Sequence, residues 1–161
     1  MLRVKYILNN LMKKVIEGDV NLYNLCLFKL PDFLSDVEVN GSFECSENKL
    51  TSLEGCPQSV RDHFYCRASQ LISLVGSLQS VGGDFECTNN QLTSLKGCPP
   101  RIGGHFWCSD NNLTTLEGCP QSMRKSFDCS NNKLPSLEGG PQSVGGHFHC
   151  SNNRLTTLEG C

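Results

Sequence analysis

The sequence predicts a repeat solenoid, a stack of similar coils sharing a parallel β-sheet, closed at its N-terminal end by an α-helical cap. Three observations predict it. Six of the eight phenylalanines are Phe43, Phe64, Phe85, Phe106, Phe127 and Phe148, each 21 residues after the last. Each is followed two places on by Cys and seven places on by Leu, and five of the six have Asn five places on. Ahead of this array, residues 2 to 16 carry apolar side chains at helical spacing. Self-similarity at a fixed short period means coils that touch only their neighbours and bury one continuous core.

From the N-terminus, Val4, Ile7, Leu8, Leu11, Met12, Val15 and Ile16 form the i, i+3, i+4 stripe of an amphipathic helix, and Glu17, Gly18 and Asp19 stop it. Residues 1–20 are therefore expected to cap the first coil. Residues 21–42 read as an irregular half-coil whose strand-like part is LCLFKL, Leu25 to Leu30. Residues 43–161 read as six coils of one continuous domain. In the coil from Val81 to Cys98, Phe85 and Cys87 alternate with Asp84, Glu86 and Thr88, the period of a strand with one inward face. Asn90 stands at the corner, where its side chain satisfies backbone groups otherwise buried without partners. Leu92 and Leu95 turn back inside, and Gly97 with Pro99 closes the coil. Stacking converts the corner into an Asn ladder through Asn48, Asn90, Asn111, Asn132 and Asn153. The coil from Phe64 departs most, with Ser69 for Asn, Arg67 for Ser or Thr, and Leu78 for Pro.

The eleven cysteines are read as core rather than chemistry. Cys45, Cys66, Cys87, Cys108, Cys129 and Cys150 occupy one inward column, and Cys56, Cys98, Cys119 and Cys161 a second. Free Cys packs as a small hydrophobe, and no C-x-x-C spacing suggests zinc or redox use. A formal net charge of −2, with no polybasic run, points away from nucleic acid. No apolar run approaches a membrane span, and the opening lacks the unbroken apolar stretch of a signal peptide, so a cytoplasmic protein is expected. No phosphate-cradling loop, H-E-x-x-H or G-x-S-x-G is present. Cys and His on opposite faces of a strand form no dyad, so no enzyme and no cofactor is expected.

The repeated segments FECTNNQL from Phe85 and FDCSNNKL from Phe127 resemble the leucine-rich repeat family, whose unit is L-x-x-L-x-L-x-x-N-x-L. The resemblance runs from about Phe43 to Leu158, and the wording C-S-x-N-x-L-T-S-L-E-G-C-P-x-S-V is similar to short repeats of bacterial and bacteriophage proteins. It implies a parallel sheet on the concave side, extended or 3-10 turns on the convex side, and a role in binding. It departs from the family where Gly82 and Gly83, Gly103 and Gly104, and Gly145 and Gly146 replace the first Leu.

Since inward columns are set by packing, specificity is sought in the outward ones. The column after Phe reads Glu44, Tyr65, Glu86, Trp107, Asp128, His149, alternating an acid with a ring. The column before it reads Ser42, His63, Asp84, His105, Ser126, His147, so each ring has a His beside it. With Arg67 from the divergent coil, Glu44, His63, Tyr65, Glu86, His105, Trp107, Asp128, His147 and His149 are the candidate partner-binding residues. Tyr and Trp anchor protein interfaces, and the acids favour a basic partner surface. His147 and His149 with Asp128 form the one grouping that suggests a transition ion, and it ranks well below partner binding. The expected function is non-enzymatic protein recognition by a bacterial or bacteriophage protein, the partner being a cellular or defence protein. The competing expectation is a structural solenoid that dimerises end to end through an uncapped last coil.

Overall fold

A computed structural model describes residues 14–157. The chain winds as a β-solenoid in which every coil contributes a short strand to one parallel ladder and all but one contribute a strand to a second. In chain order the strands are β1 (Lys14–Glu17), β2 (Val20–Asn21), β3 (Val37–Asn40), β4 (Phe43–Glu44), β5 (Ser59–Val60), β6 (Phe64–Tyr65), β7 (Ser80–Val81), β8 (Phe85–Glu86), β9 (Phe106–Trp107), β10 (Ser122–Met123), β11 (Phe127–Asp128), β12 (Ser143–Val144) and β13 (Phe148–His149). The first sheet has seven strands in the order β13-β11-β9-β8-β6-β4-β2. The second runs β1-β3-β5-β7 and resumes separately as β10-β12. Register places Phe on Phe throughout, as in Phe43↔Phe64 and Phe106↔Phe127.

The core repeats with the sequence. Phe43, Phe64, Phe85, Phe106 and Phe127 are fully enclosed, and successive rings lie at centroid distances from 5.3 to 5.5 Å, stacked from Phe43 to Phe85 and tilted beyond. Between the sheets lie the Cys column and the paired Leu columns, including Leu92 and Leu95. All described cysteines are free. The second sheet supplies Val39, Val60, Val81, Ile102 and Met123, all buried. Each coil thus carries, beside its Phe strand, a second short extended segment that pairs in parallel over most of its length. The alternation there of outward Ser with inward Val is too short for periodicity to reveal.

Each corner has its own device. The corner Asn is buried and joins two coils. Asn132 Nδ2 donates to the carbonyls of Cys129, Ser130 and, one coil back, Cys108, while its Oδ1 accepts from Leu113 N–H. Asn90 and Asn111 repeat the pattern. The residue just before Asn turns the chain through the left-handed region, with φ of 54° at Asn89, 56° at Asp110 and 55° at Asn131. Asn and Asp tolerate that conformation better than other non-Gly residues. Gly97 takes the next left-handed corner at φ 87°. The Gly-Gly pairs answer a different need, because adjoining coils close-pack by backbone between the two sheets. A Cβ on Gly82 would lie 1.9 Å from the Arg61 carbonyl oxygen, and one on Gly103 would lie 2.1 Å from that of Gly82.

The N-terminal expectations need correction. Lys14–Glu17 is a strand, pairing parallel with β3, so Val15 and Ile16 end no helix there. The ladder supplies their backbone partners, and β-branched side chains suit it. The remainder of the expected cap, residues 2–13, lies outside the described residues, and no α-helix occurs among those described. Leu25 to Leu30 is no strand either. It holds corner positions after β2, with Asn24 at φ 51° and Cys26 at φ 57°, and Asn48 Oδ1 accepts from Leu25 and Leu27 N–H. Leu27 and Leu30 thereby enter the core at the three-residue spacing of Leu50 and Leu53, one coil earlier. The offset there is 23 residues, read from Val20↔Phe43, against 21 in the later coils. Among the described residues no helix is long and apolar enough to cross a membrane.

Candidate functional site

The first sheet presents the candidate residues as two outward columns on either side of the buried Phe. Burial alternates as a strand requires, with Phe64 and Cys66 enclosed while His63 and Tyr65 are partly exposed. Glu44, Glu86, Trp107 and Asp128 are likewise half-buried, and His147 and His149 are exposed. Ring pairing follows the sequence. His63 stacks on Tyr65 at 5.8 Å and 10°, and His105 stacks on Trp107 at 5.2 Å and 6°. His147 and His149 sit 5.8 Å apart at 42°.

The column before Phe is bound into the scaffold, which periodicity does not reveal. From Ser42 to Ser126, each of its side chains accepts the backbone N–H of the corresponding residue one coil on, and Asp19 does the same one coil earlier. Asp19 Oδ1 accepts from Ser42, Ser42 Oγ from His63, His63 Nδ1 from Asp84 and Asp84 Oδ1 from His105. His105 Nδ1 then accepts from Ser126, and Ser126 Oγ from His147. Asp84 Oδ2 also lies 3.1 Å from His63 Nδ1. Ser, Asp and His share an acceptor at the right reach, the one property this position demands. The legible signal was the absence of Lys, Arg and aliphatic residues from the column.

The column after Phe is freer. Glu44 Oε1 accepts from Ser46 N–H and Asp128 Oδ1 from Ser130 N–H, each turning one carboxylate oxygen to the strand's exit. Glu86 accepts from the Thr88 hydroxyl. Partial burial first, then the carboxylates of Asp84, Glu86 and Glu44, hold the Tyr65 phenol above its ordinary value. Beside Trp107 a shallow recess of about 380 Å³ is lined by Glu86, Thr88, Ser109 and Asp110. Thr88, Ser109 and Asp110 join the site because strand exits of adjoining coils stand side by side, a placement set by register.

Other expectations fare differently. Arg67 is exposed at the exit of β6, where its N–H donates to Ser46 Oγ, whereas Arg61 follows β5 on the other sheet, and no ion pair joins them to Asp62 among the described residues. Among those residues no group of three or more His, Cys, Asp and Glu is arranged to hold a metal ion, which removes the His147, His149 and Asp128 grouping. Burial raises the thiols of both columns, with Cys45, Cys66 and Cys108 of the first well above the usual range and Cys56 and Cys119 of the second pushed up to about 12. A nucleophilic Cys requires the opposite shift. In the last described coil Phe148, Cys150 and Leu155 are only partly covered. Compared with known protein families, curated proteins and solved structures, the chain matches none.

Proposed function

We propose that the chain is a non-enzymatic recognition module that binds a basic protein surface through the outward face of its first sheet. The observation that carries this reading is the row of half-buried rings, Tyr65 and Trp107, set between carboxylates on a continuous parallel sheet. Aromatic rings flanked by acids suit Arg and Lys, whose cations are drawn both to the ring face and to the carboxylates. The rigid ladder holds the rings in place before binding, which lowers the ordering cost of association. Following the resemblance to short leucine-rich repeats, the module belongs to a bacterium or bacteriophage and acts in the cytoplasm, where blocking a cellular or defence protein is its natural task. Contact falls on Glu44, Tyr65, Glu86, Trp107, Asp128 and His149, with Arg67 at the edge. His63, His105 and His147 act chiefly through the rings they stack on.

The test is affinity capture from bacterial lysate with quantitative mass spectrometry, comparing the parent chain with Tyr65→Ala/Trp107→Ala. A protein with a basic surface captured by the parent and lost from the double variant is the expected result. Capture that survives the double variant would refute this face. End-to-end self-association, the competing reading, draws on the partly covered Phe148, Cys150 and Leu155. Sedimentation of the same double variant separates the two, because association through the last coil is indifferent to Tyr65 and Trp107.

A further inference from the structure

The second ladder is interrupted at one place. It runs from β1 through β7 and on to the bridge Val81↔Ile102, then restarts with β10 and β12, and no strand pairing joins Ile102 to Met123. The first sheet passes the same two coils unbroken, with Phe106 and Phe127 rings 5.4 Å apart. The same coil is also exceptional in sequence. In four coils this strand is approached by Gln-Ser, as in Gln58-Ser59, Gln79-Ser80, Gln121-Ser122 and Gln142-Ser143, whereas here Pro100-Arg101 stands instead. The Gln N–H carries an inter-coil bond, 2.7 Å from Gln79 to the Gln58 carbonyl and 2.8 Å from Gln142 to that of Gln121. Pro100 has no N–H and a fixed φ, so the corresponding bond to the Gln79 carbonyl one coil back is absent, while the bridge Val81↔Ile102 is kept.

The interruption opens into a cleft of about 810 Å³, within the size range of ligand pockets. Its apolar side includes Ile102 and Cys119, and Arg101 and Arg124 are both exposed along it. No carboxylate lines it, and among the described residues neither guanidinium has an ion-pair partner. On a chain of net charge −2 whose other sheet is acidic, this is a local reversal of sign.

We propose that this cleft is a second binding site, for an extended acidic peptide segment with alternating carboxylate and apolar side chains. The peptide lies extended along the cleft, over the place where no strand pairing joins Ile102 to Met123. Its apolar side chains meet Ile102 and Cys119, and its carboxylates meet Arg101 and Arg124, whose planar forks match a carboxylate in two-point contact. The site stands on the opposite sheet from Tyr65 and Trp107 and is independent of the function proposed for them.

Isothermal titration of the full chain with the octapeptide (Glu-Val)4, and separately with (Lys-Val)4, tests it. Binding of the Glu peptide alone, weakened by added salt and by at least about tenfold in Arg101→Gln/Arg124→Gln, is expected from the loss of two charge-assisted contacts. Tyr65→Ala/Trp107→Ala should leave that binding unchanged. Charge reversal in Arg101→Glu/Arg124→Glu should transfer preference to (Lys-Val)4. Equal binding of the two peptides, no binding at millimolar peptide, binding indifferent to the arginine substitutions, or full displacement by equimolar inorganic phosphate would each overturn the proposal.

Discussion

At the scale of single residues the repeat exposes its own exceptions, and each exception has a computable cost. Ser69 stands where the other coils carry the corner Asn. It accepts one bond, from Asn48 N–H at 3.3 Å, in place of the four that Asn132 makes. Restoring Asn at position 69 adds donors toward the carbonyls of Cys66 and Cys45 and an acceptor toward Leu50. Net gains of about 1 kcal/mol per buried bond give an expected 1–2 kcal/mol, a rise of roughly 2–8 °C in melting temperature by calorimetry. A second exception lies in the same coil. Ser77 occupies the column of Cys56, Cys98 and Cys119, and its Oγ is buried with no hydrogen-bond partner. Ser77→Cys keeps the volume and removes the stranded hydroxyl, so stability should rise by ~1 kcal/mol, read as a higher urea midpoint at unchanged slope. The divergence of this coil is therefore visible as energy within the coil itself, in two neighbouring side chains that leave buried polar groups poorly served.

At the scale of elements, every strand from β4 onward is two residues of ladder, and Phe106 beside Trp107 in β9, one side chain in and one out, is the sharpest case. Phe106 is fully enclosed between two neighbouring Phe rings, while Trp107 lies half-exposed against His105. Phe106→Ala should cost ~3–5 kcal/mol and Trp107→Ala less than about 1 kcal/mol in urea denaturation. Equal losses would show the two faces to be reversed. This inward and outward assignment was legible because Phe-x-Cys repeats six times in register, which averages away the weakness of any single short strand. The second sheet was not legible, since Ser-Val alone is too brief to distinguish from a turn. Nor was the strand at Lys14–Glu17, whose apolar residues fit a helical stripe as well as a β edge until β3 is brought beside it. The ring-and-acid column was visible as letters, but the acceptor ladder through Asp19, Ser42, His63 and Asp84 depends on coils lying one above another, and no local pattern announces it.

Across the whole molecule, the feature with the largest energetic reach is the row of buried thiols. Eight of the described cysteines are buried, and desolvation holds those of the inner column above the ordinary thiol value of 9.0. A raised folded value means that the native state keeps its protons while the unfolded chain releases them. Their stabilisation is thus fully present below pH 9 and is lost as pH rises from 9 toward the folded values. At pH 10 the loss is about 1.4 kcal/mol per buried thiol and on the order of 10 kcal/mol for the set. Far-ultraviolet circular dichroism should show cooperative unfolding between about pH 9 and 11, and a urea midpoint equal at pH 7 and pH 10 would contradict burial of the column.

Taken alone, the sequence determined the coil length, the inward identity of Phe, Cys and Leu, the corner role of Asn and the alternation of rings with acids, because all of these recur at a constant interval and repetition substitutes for tertiary information. The tertiary structure decided what recurs only when coils are stacked: the second parallel ladder, the chain of side chains accepting N–H groups from the next coil, the backbone contact that requires Gly82 and Gly103, and the cleft beside Pro100. Those features are set by distances between residues 19 to 24 positions apart, a separation over which hydrogen bonds and close packing act through space and local sequence preference does not.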